Sequence, residues 1–232
     1  MTLLYTYTCV YASIIWCYTT LMAILTKQTI LKKIEAGEIK IRPSLDVFQL
    51  RAHAIDLRLG YTFLTQKQFK ITKKGREAIS VVDSSKNGHS SEYFDVLELE
   101  EGQYFELLPG EHVSVSSLES ISFPLDLMAV LYPRSSVSRR GLSVDLTGII
   151  DAGYEGQLII PIRNNTHNQI VRLYPGERFC QIIFETLDEK ADFVQSRFHR
   201  KDLAEGIESS KSEESELVEA GKIKELKKQF AI

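Results

Sequence analysis

The chain has 232 residues, of which 44% are hydrophobic and 25% are charged, as in an ordinary globular protein that buries its own core. Its formal net charge of −3 argues against a nucleic-acid partner, because such a protein needs a basic surface to neutralise phosphates. The cysteines have neither the number nor the spacing of a disulfide framework or a zinc site, which favours a reducing, cytoplasmic compartment. They are Cys9, Cys17 and Cys180.

The first 26 residues contain no charged side chain, and three interpretations of them are open. A membrane anchor needs about 20 mostly apolar residues, but threonine and serine interrupt this segment. A secretory signal should begin with positive charge and end at a small-residue cleavage site, and neither is clear here. Since Met22 opens a sequence that resembles a natural N-terminus, we favour an over-extended start, with residues 1–21 as an extension and no membrane partner.

The residues from Thr26 to Ile39 predict a short amphipathic helix, with Thr26 as its N-cap and Gly37 at its end. After this helix, most segments alternate apolar and polar residues over short runs bounded by Gly, Pro, Asn or Asp. The runs are AIDLRLGYTFLT, HVSVSSLESISF, LMAVLYP, LSVDLTGII, QLIIPI, QIVRLY and FCQIIFETL. Short strands at close intervals, with little helix between them, indicate an all-β sandwich or barrel.

Two polar segments accompany the predicted strands. Residues 83–92, DSSKNGHSSE, predict a loop or hairpin tip. Residues 203–232 form a charged tail rich in Glu, Lys and Ser, in which residues 217–230 have the spacing of a short amphipathic helix. We favour a solvated tail over a binding helix. The expected main domain covers residues 22–202.

The densest group of chemically useful side chains lies between Arg134 and Gly141, in the sequence RSSVSRRG. Arginine offers planar, bidentate donors to phosphate oxygens, and serine hydroxyls with backbone N–H groups can fill the remaining acceptor sites. This pattern indicates a polyphosphate-binding loop. A solvated turn on a β protein would explain the same residues.

A second candidate is Asp151, which follows a predicted buried strand on a glycine-bearing turn. A carboxylate in this place is well positioned to act as a general base, although the spacing alone favours a turn-capping aspartate. Tyr154 follows three residues later and offers a flat face to a sugar or a base.

Four segments in combination resemble the superfamily of homotrimeric dUTP diphosphatases and dCTP deaminases: PRSSVSRRG, TGIIDAGYEGQLII, YPGERFCQIIF and AIDLRLG. The resemblance covers roughly residues 22–188. It implies an all-β fold, a distorted β jelly roll of the dUTPase-like β-clip type, with a short N-terminal helix and a polar C-terminal tail. It also implies a homotrimer whose active sites lie at the subunit boundaries.

The same resemblance implies roles for individual residues. Asp151 would activate the attacking water and hold the deoxyribose 3′-hydroxyl, and Gln181 would help to place that water. Mg²⁺ would bridge phosphate oxygens without a direct protein ligand, and Asp56 would assist it through water. The implied substrate-binding residues are Arg134, Ser135, Ser136 and Arg139 for the phosphates, Leu146, Thr147 and Gly148 for the uracil edge, and Tyr154 for the sugar.

One position separates the two activities of this superfamily. The resemblance implies that a deaminase-type site carries a proton-shuttling glutamate ten residues after the aspartate, where this chain has Pro161. Proline has no ionisable group and lacks a backbone donor, so it cannot do acid/base work. The segment GIIDAGYEGQLII is close to the diphosphatase pattern. The main prediction is therefore dUTP diphosphatase, which hydrolyses dUTP to dUMP and diphosphate.

Two other functions stay open. One is dCTP deaminase, alone or coupled to hydrolysis. The other is a non-catalytic nucleotide-binding trimer, which the lack of a glycine-rich C-terminal arm favours, because the tail contains only Gly206 and Gly221. The basic residues of QSRFHRKD either contact phosphates in place of that arm or form a solvated patch.

Overall fold

The computed structural model describes residues 23–78, 94–145, 148–192 and 213–231. Residues 1–22 of the charge-free N-terminal segment, the polar loop 83–92 and the basic segment QSRFHRKD lie outside these residues. Within the described ranges, no helix is both long enough and apolar enough to cross a membrane.

The described residues form mainly short strands. The helices are α1 (Lys27–Glu35), α2 (Ser135–Ser138), α3 (Glu213–Glu219) and α4 (Ile223–Gln229). The strands are β1 (Lys40–Arg42), β2 (Ile55–Gln66), β3 (Phe69–Thr72), β4 (Gly75–Ala78), β5 (Phe94–Glu98), β6 (Phe105–Leu107), β7 (His112–Ser122), β8 (Leu127–Pro133), β9 (Leu142–Val144), β10 (Ile149–Ile150), β11 (Glu155–Asn164), β12 (Val171–Leu173) and β13 (Arg178–Thr186).

One large sheet organises the chain. Its strands pair in the order β10-β8-β13-β2-β7-β11-β9, with β1 added on β7 and β5 added on β2. Strands β12 and β6 form a separate pair, as do β3 and β4. The pairings are antiparallel, and strand β13 lies between β8 and β2, which are far from it in the sequence. The antiparallel sheet curls, which confirms the predicted jelly-roll-like all-β fold.

The core is built mainly from strands in the middle of this sheet. On β2, Leu57, Leu59 and Phe63 are fully buried, and Phe63 stacks on Phe105 with ring centroids 5.1 Å apart. Burying one such side chain contributes about 1.5–3 kcal/mol to folding. The near-continuous apolar character of AIDLRLGYTFL therefore places β2 inside the molecule, with both of its edges paired.

Helix α1 confirms the predicted N-terminal helix. Ile30 is fully buried and anchors the helix on the core. Gly37, with φ of +74°, follows the helix in the left-handed conformation that glycine adopts without strain. Thr26 occupies the N-cap position, but its side chain makes no capping hydrogen bond. The charged tail contains two short helices, α3 and α4, where the spacing predicted one.

Gly60 on β2 is required by the close approach of β7. The register between β2 and β7 shifts between Leu59 and Phe63. A Cβ atom at Gly60 would clash with the Ser116 hydroxyl and lie 2.9 Å from the Ser116 carbonyl and 3.0 Å from the Ser117 carbonyl. The glycine of the AIDLRLG pattern is thus needed for packing.

We expect Gly60→Ala to lower the free energy of unfolding by about 1–3 kcal/mol, because the added methyl group must displace backbone carbonyls of β7. Urea unfolding measures this change. The control is Lys40→Ala, at an exposed position of β1, which should change the free energy of unfolding by less than about 0.5 kcal/mol. Equal stability of Gly60→Ala and the wild type would contradict the packing argument.

Candidate active site

The arginine-serine segment lies at the end of β8, where the chain turns into helix α2. Val137 is fully buried and anchors this turn, whereas Ser135 is exposed and Ser136 is half-buried. The backbone N–H of Arg134 donates to the Phe179 carbonyl on β13 at 3.0 Å. The turn therefore holds serine hydroxyls at the surface next to Arg134, an arrangement that suits phosphate oxygens.

The two arginines that follow have different surroundings. Arg140 pairs with Glu177 at 2.8 Å and lies over the Phe179 ring, 5.8 Å from its centroid. Arg139 is exposed at the end of α2. Arg140 is thus engaged within the fold, and Arg139 is the better placed of the two to contact a ligand.

Asp56 on β2 is fully buried among cationic and amide side chains. Its Oδ2 atom accepts two hydrogen bonds from Arg51, at 2.6 and 3.0 Å, and lies 3.2 Å from Nε of Arg134 and 3.4 Å from Nη1 of Arg178. Its Oδ1 atom accepts a hydrogen bond from Nε2 of Gln181 at 3.0 Å. We call these five residues the Asp56 cluster.

The Asp56 cluster has a surplus of positive charge, since three guanidinium groups surround one carboxylate. Burial raises the pKa of Asp56, but hydrogen bonds from Arg51 and Gln181 and the charge of Arg134 outweigh it, so the pKa lies below its usual value. Burial lowers the pKa of Arg134, and repulsion from Arg178 and Arg51 opposes the effect of Asp56. A bound phosphate would offset this repulsion, so the charge of the cluster is compatible with an anionic ligand.

The role predicted for Asp56 beside a magnesium ion is an indirect one, through water. Both of its carboxylate oxygens accept hydrogen bonds, and the side chain is fully buried. Among the described residues, no group of three or more His, Cys, Asp or Glu could hold a metal ion. Within the fold Asp56 orients arginine side chains, and both its water-mediated role and magnesium itself stay predictions.

Asp151 is exposed on the turn after β10. Its carbonyl accepts a hydrogen bond from the Tyr154 N–H at 3.2 Å, and Gly153 has φ of +75°, which permits the tight turn. The Tyr154 ring lies 6.4 Å from that of Phe123, its hydroxyl donates to the Gln157 carbonyl at 2.6 Å, and burial raises its pKa to about 12. Tyr154 is only 7% exposed, so it mainly fixes the turn, and its sugar contact stays a prediction.

Of the three residues predicted to recognise the uracil edge, the structure describes only Gly148. Leu146 and Thr147 lie outside the described residues. Gly148 has φ of +82°, and its carbonyl accepts a hydrogen bond from the Leu131 N–H at 2.7 Å. This contact ties the end of the segment to β8, the strand that leads to Arg134.

Two groups of predicted site residues lie towards opposite ends of β8. Strand β10 pairs antiparallel with β8, with Ile150 opposite Ala129, so Asp151 follows beside Met128 near the start of β8. Arg134 comes directly after the other end. At about 3.3 Å per residue, the span from Met128 to Arg134 is roughly 20 Å. Asp151 and Arg134 are therefore set apart along β8 within one copy of the chain.

Sequence reasoning identified Asp56, Arg134 and Gln181 but missed Arg51 and Arg178. Arg178 lies in the segment YPGERFCQ that carried the resemblance, and Arg51 lies five residues before Asp56. The available signal was an aspartate inside a buried strand, because a buried carboxylate requires cationic partners. Which arginines supply them depends on strand pairing that the sequence alone does not reveal.

Comparisons with known proteins agree with this architecture. A family model described as dCTP deaminase-like matches residues 24–187. A protein of Methanobrevibacter smithii named "dCTP deaminase, dUMP-forming" is 35% identical over 172 residues, which cover 74% of this chain and 84% of that protein. Its namesake in Methanosphaera stadtmanae is 36% identical over 172 residues, covering 74% and 83%. The crystal structure of 2′-deoxycytidine 5′-triphosphate deaminase from Agrobacterium tumefaciens is 25% identical, with a TM-score of 0.55, and the match covers 71% of this chain and 49% of that one.

The all-β fold and the match of the family model over most of the chain place it in the superfamily of dUTPases and dCTP deaminases. Within that superfamily, the chain belongs to the dCTP deaminase-like family, since the family model matches well over half of its length.

The prediction that dUTP diphosphatase is the main function is wrong on this comparison. The relatives are named "dCTP deaminase, dUMP-forming", which favours the alternative of a deaminase coupled to hydrolysis. The error has a physical reason. Formation of dUMP from a triphosphate also requires release of diphosphate, so an aspartate turn of the diphosphatase type is compatible with both activities. The single position Pro161 was given too much weight.

The Asp56 cluster predicts how stability depends on pH. We expect Asp56→Asn to lower the free energy of unfolding by about 3–5 kcal/mol at neutral pH, because it leaves buried guanidinium groups without their counter-ion. Because the folded-state pKa of Asp56 lies below the unfolded value of about 3.9, the stabilisation is complete above that pH and is lost as the pH falls through the folded-state pKa.

Urea unfolding at a series of pH values measures both effects. The difference between the wild type and Asp56→Asn should be constant near neutral pH and shrink below about pH 4. The matched control is Asp46→Asn, which breaks the ion pair of the exposed Asp46 with Arg58 and should change the free energy of unfolding far less, because solvent screens that pair. A small effect of Asp56→Asn, equal to that of the control, would contradict the role given to the cluster.

Proposed function

We propose that this protein is a dUMP-forming dCTP deaminase, which converts the cytosine base to uracil and releases diphosphate. The observation that carries the proposal is the Asp56 cluster, a group of guanidinium side chains next to a serine-bearing turn. A nucleoside triphosphate brings several negative charges that such a cluster can bind. The names of the relatives support the choice of dCTP over other triphosphates.

In this proposal, the phosphate chain lies against Arg134 and the hydroxyls of Ser135 and Ser136, with exposed Arg139 as a further contact. Asp56 keeps the side chain of Arg134 in place and compensates part of its charge. Planar guanidinium groups can bind phosphate oxygens with two hydrogen bonds, which orients the phosphorus for attack.

Asp151 activates the water that attacks the phosphate chain, and Gln181 helps to place that water. Activation requires the carboxylate oxygen to lie about 3 Å from the proton that it removes. Because Asp151 and Arg134 are roughly 20 Å apart along β8 in one chain, we propose that each site takes Asp151 from one copy and Arg134 from another. A homotrimer with sites at the subunit boundaries, as the resemblance implies, meets this requirement.

Mg²⁺ is part of the proposal, held by phosphate oxygens and water because the Asp56 cluster offers it no free carboxylate oxygen. When bound, the ion would neutralise charge on the leaving diphosphate. We also propose a cytoplasmic location, because the substrate is a soluble nucleotide.

The direct test offers dCTP and dUTP separately to the purified protein and measures ammonia, diphosphate and the nucleotide products. We expect ammonia, diphosphate and dUMP from dCTP, and diphosphate with dUMP from dUTP. A nucleotide that binds tightly but is not turned over would favour a non-catalytic trimer. Absence of ammonia from dCTP, in a preparation that hydrolyses dUTP, would overturn the proposed function.

A subunit-mixing experiment tests the divided site. Arg134→Ala and Asp151→Asn should each abolish diphosphate release when purified alone. When the two variants are mixed under conditions that exchange subunits, about a quarter of the boundaries in randomly assembled trimers contain both intact halves, so about a quarter of the wild-type activity should return. The control mixes each variant with itself. No recovery in the mixture, with subunit exchange demonstrated, would contradict a site divided between copies.

A further inference from the structure

Replacing the amino group of cytosine by oxygen requires a group that carries protons. A water molecule must lose a proton as it attacks C4, and the departing amino group must gain one. A carboxylate within hydrogen-bond reach of both can take and return the proton. Pro161 has no ionisable group, so another residue near the base must do this if the proposed function holds.

Asp145 lies directly beside Pro161 on the neighbouring strand. It follows β9, and its backbone N–H donates to the Pro161 carbonyl at 3.0 Å. This contact extends by one residue the antiparallel register in which Ile162 lies opposite Val144. Residues directly opposite in such a pair have Cβ atoms about 4.5–5.5 Å apart and project from the same face of the sheet. A carboxylate at position 145 therefore lies next to the space that a side chain at position 161 would occupy.

The polar contacts of Asp145 hold its side chain on this face. Its Oδ1 atom accepts a hydrogen bond from the Ser143 hydroxyl at 3.0 Å, and its Oδ2 atom lies 3.9 Å from Nε of Arg163. The Asp145 side chain remains 51% exposed, so it is accessible to a ligand. His112 lies opposite Arg163 on β7, and the charge of Asp145 partly offsets the burial that lowers the pKa of His112.

Asp145 is also close to the expected position of the base. It lies three residues before Gly148, and three residues of extended chain span at most about 11 Å. Gly148 ends the segment that is predicted to recognise the base edge. Two other carboxylates near the site do not meet the requirement, since Asp56 and Glu119 are buried within the sheet, with exposures of 0% and 1%. Asp151 is assigned to the hydrolytic water and the sugar.

We infer that Asp145 is the proton-transferring carboxylate of the deamination step. The inference rests on the proposed function. As the oxygen of water forms its bond to C4, Asp145 accepts one proton from that water and delivers it to N3 of the ring. It then takes the proton of the new C4 hydroxyl and passes it to the amino nitrogen. The C4–N bond breaks, ammonia leaves with the electron pair of that bond, and the C4 carbonyl of uracil remains.

The test compares two reactions of one variant. We expect Asp145→Asn to reduce ammonia release from dCTP by about 100-fold or more, because loss of a general acid/base typically costs a factor of about 10²–10⁴. Diphosphate release from dUTP should be unchanged, which shows at once that the variant is folded and assembled. The matched control is Glu106→Gln. Glu106 is a half-exposed carboxylate on β6 that pairs with Arg172 at 3.0 Å, and it is not part of the site.

A second variant moves the carboxylate across the strand pair. The double variant with Asp145→Asn and Pro161→Glu should release ammonia at least about tenfold faster than Asp145→Asn alone, since directly opposite positions share one face. Wild-type ammonia release by Asp145→Asn would overturn this inference and leave the proposed function intact. Failure of the wild type to release ammonia from dCTP would overturn both. An equal loss of dUTP hydrolysis in Asp145→Asn would also overturn the inference, because it would indicate a structural role.

Discussion

Asp56 is a fully buried charged side chain on strand β2, and such a group is tolerated only when cationic partners reach it. The partners come from distant parts of the chain: Arg51 precedes β2, Arg134 follows β8, and Arg178 and Gln181 lie on β13. The pairing of β13 with both β2 and β8 brings them together. The same contacts that stabilise the buried carboxylate therefore gather three guanidinium groups at one place, as a consequence of how the sheet closes.

Strand β8 places a second constraint on function. Asp151 lies beside the start of β8 and Arg134 follows its end, so the strand separates the two residues within one copy of the chain. A site that uses both residues on one phosphate, as we propose, then takes one of them from another copy. The exposure of Asp151 in an isolated chain is compatible with such a shared boundary site.

The sequence alone predicted the parts of the fold that depend on local pattern. Alternation and turn residues were sufficient for the all-β class, and the cap at Gly37 was sufficient for helix α1. It did not reveal Arg51 and Arg178 as partners of Asp56, because these contacts depend on strand order and on a register shift in β13. Tyr154 shows a further limit of the sequence. Its position after the aspartate predicts a ligand contact, which stays a prediction, but nothing in the sequence reveals that the ring packs against Phe123.

Pro161 shows why a single position is weak evidence for or against an activity. An antiparallel strand pair offers two positions, one on each strand, from which side chains reach nearly the same point. A carboxylate lost from β11 can thus be supplied after β9 without any change in the backbone, and here Asp145 lies opposite Pro161 with its side chain held by Ser143. In the sequence Asp145 and Pro161 are 16 residues apart, but in the folded sheet they lie at one location. The activity of such a site is set by the charges that reach the base, whichever strand carries them.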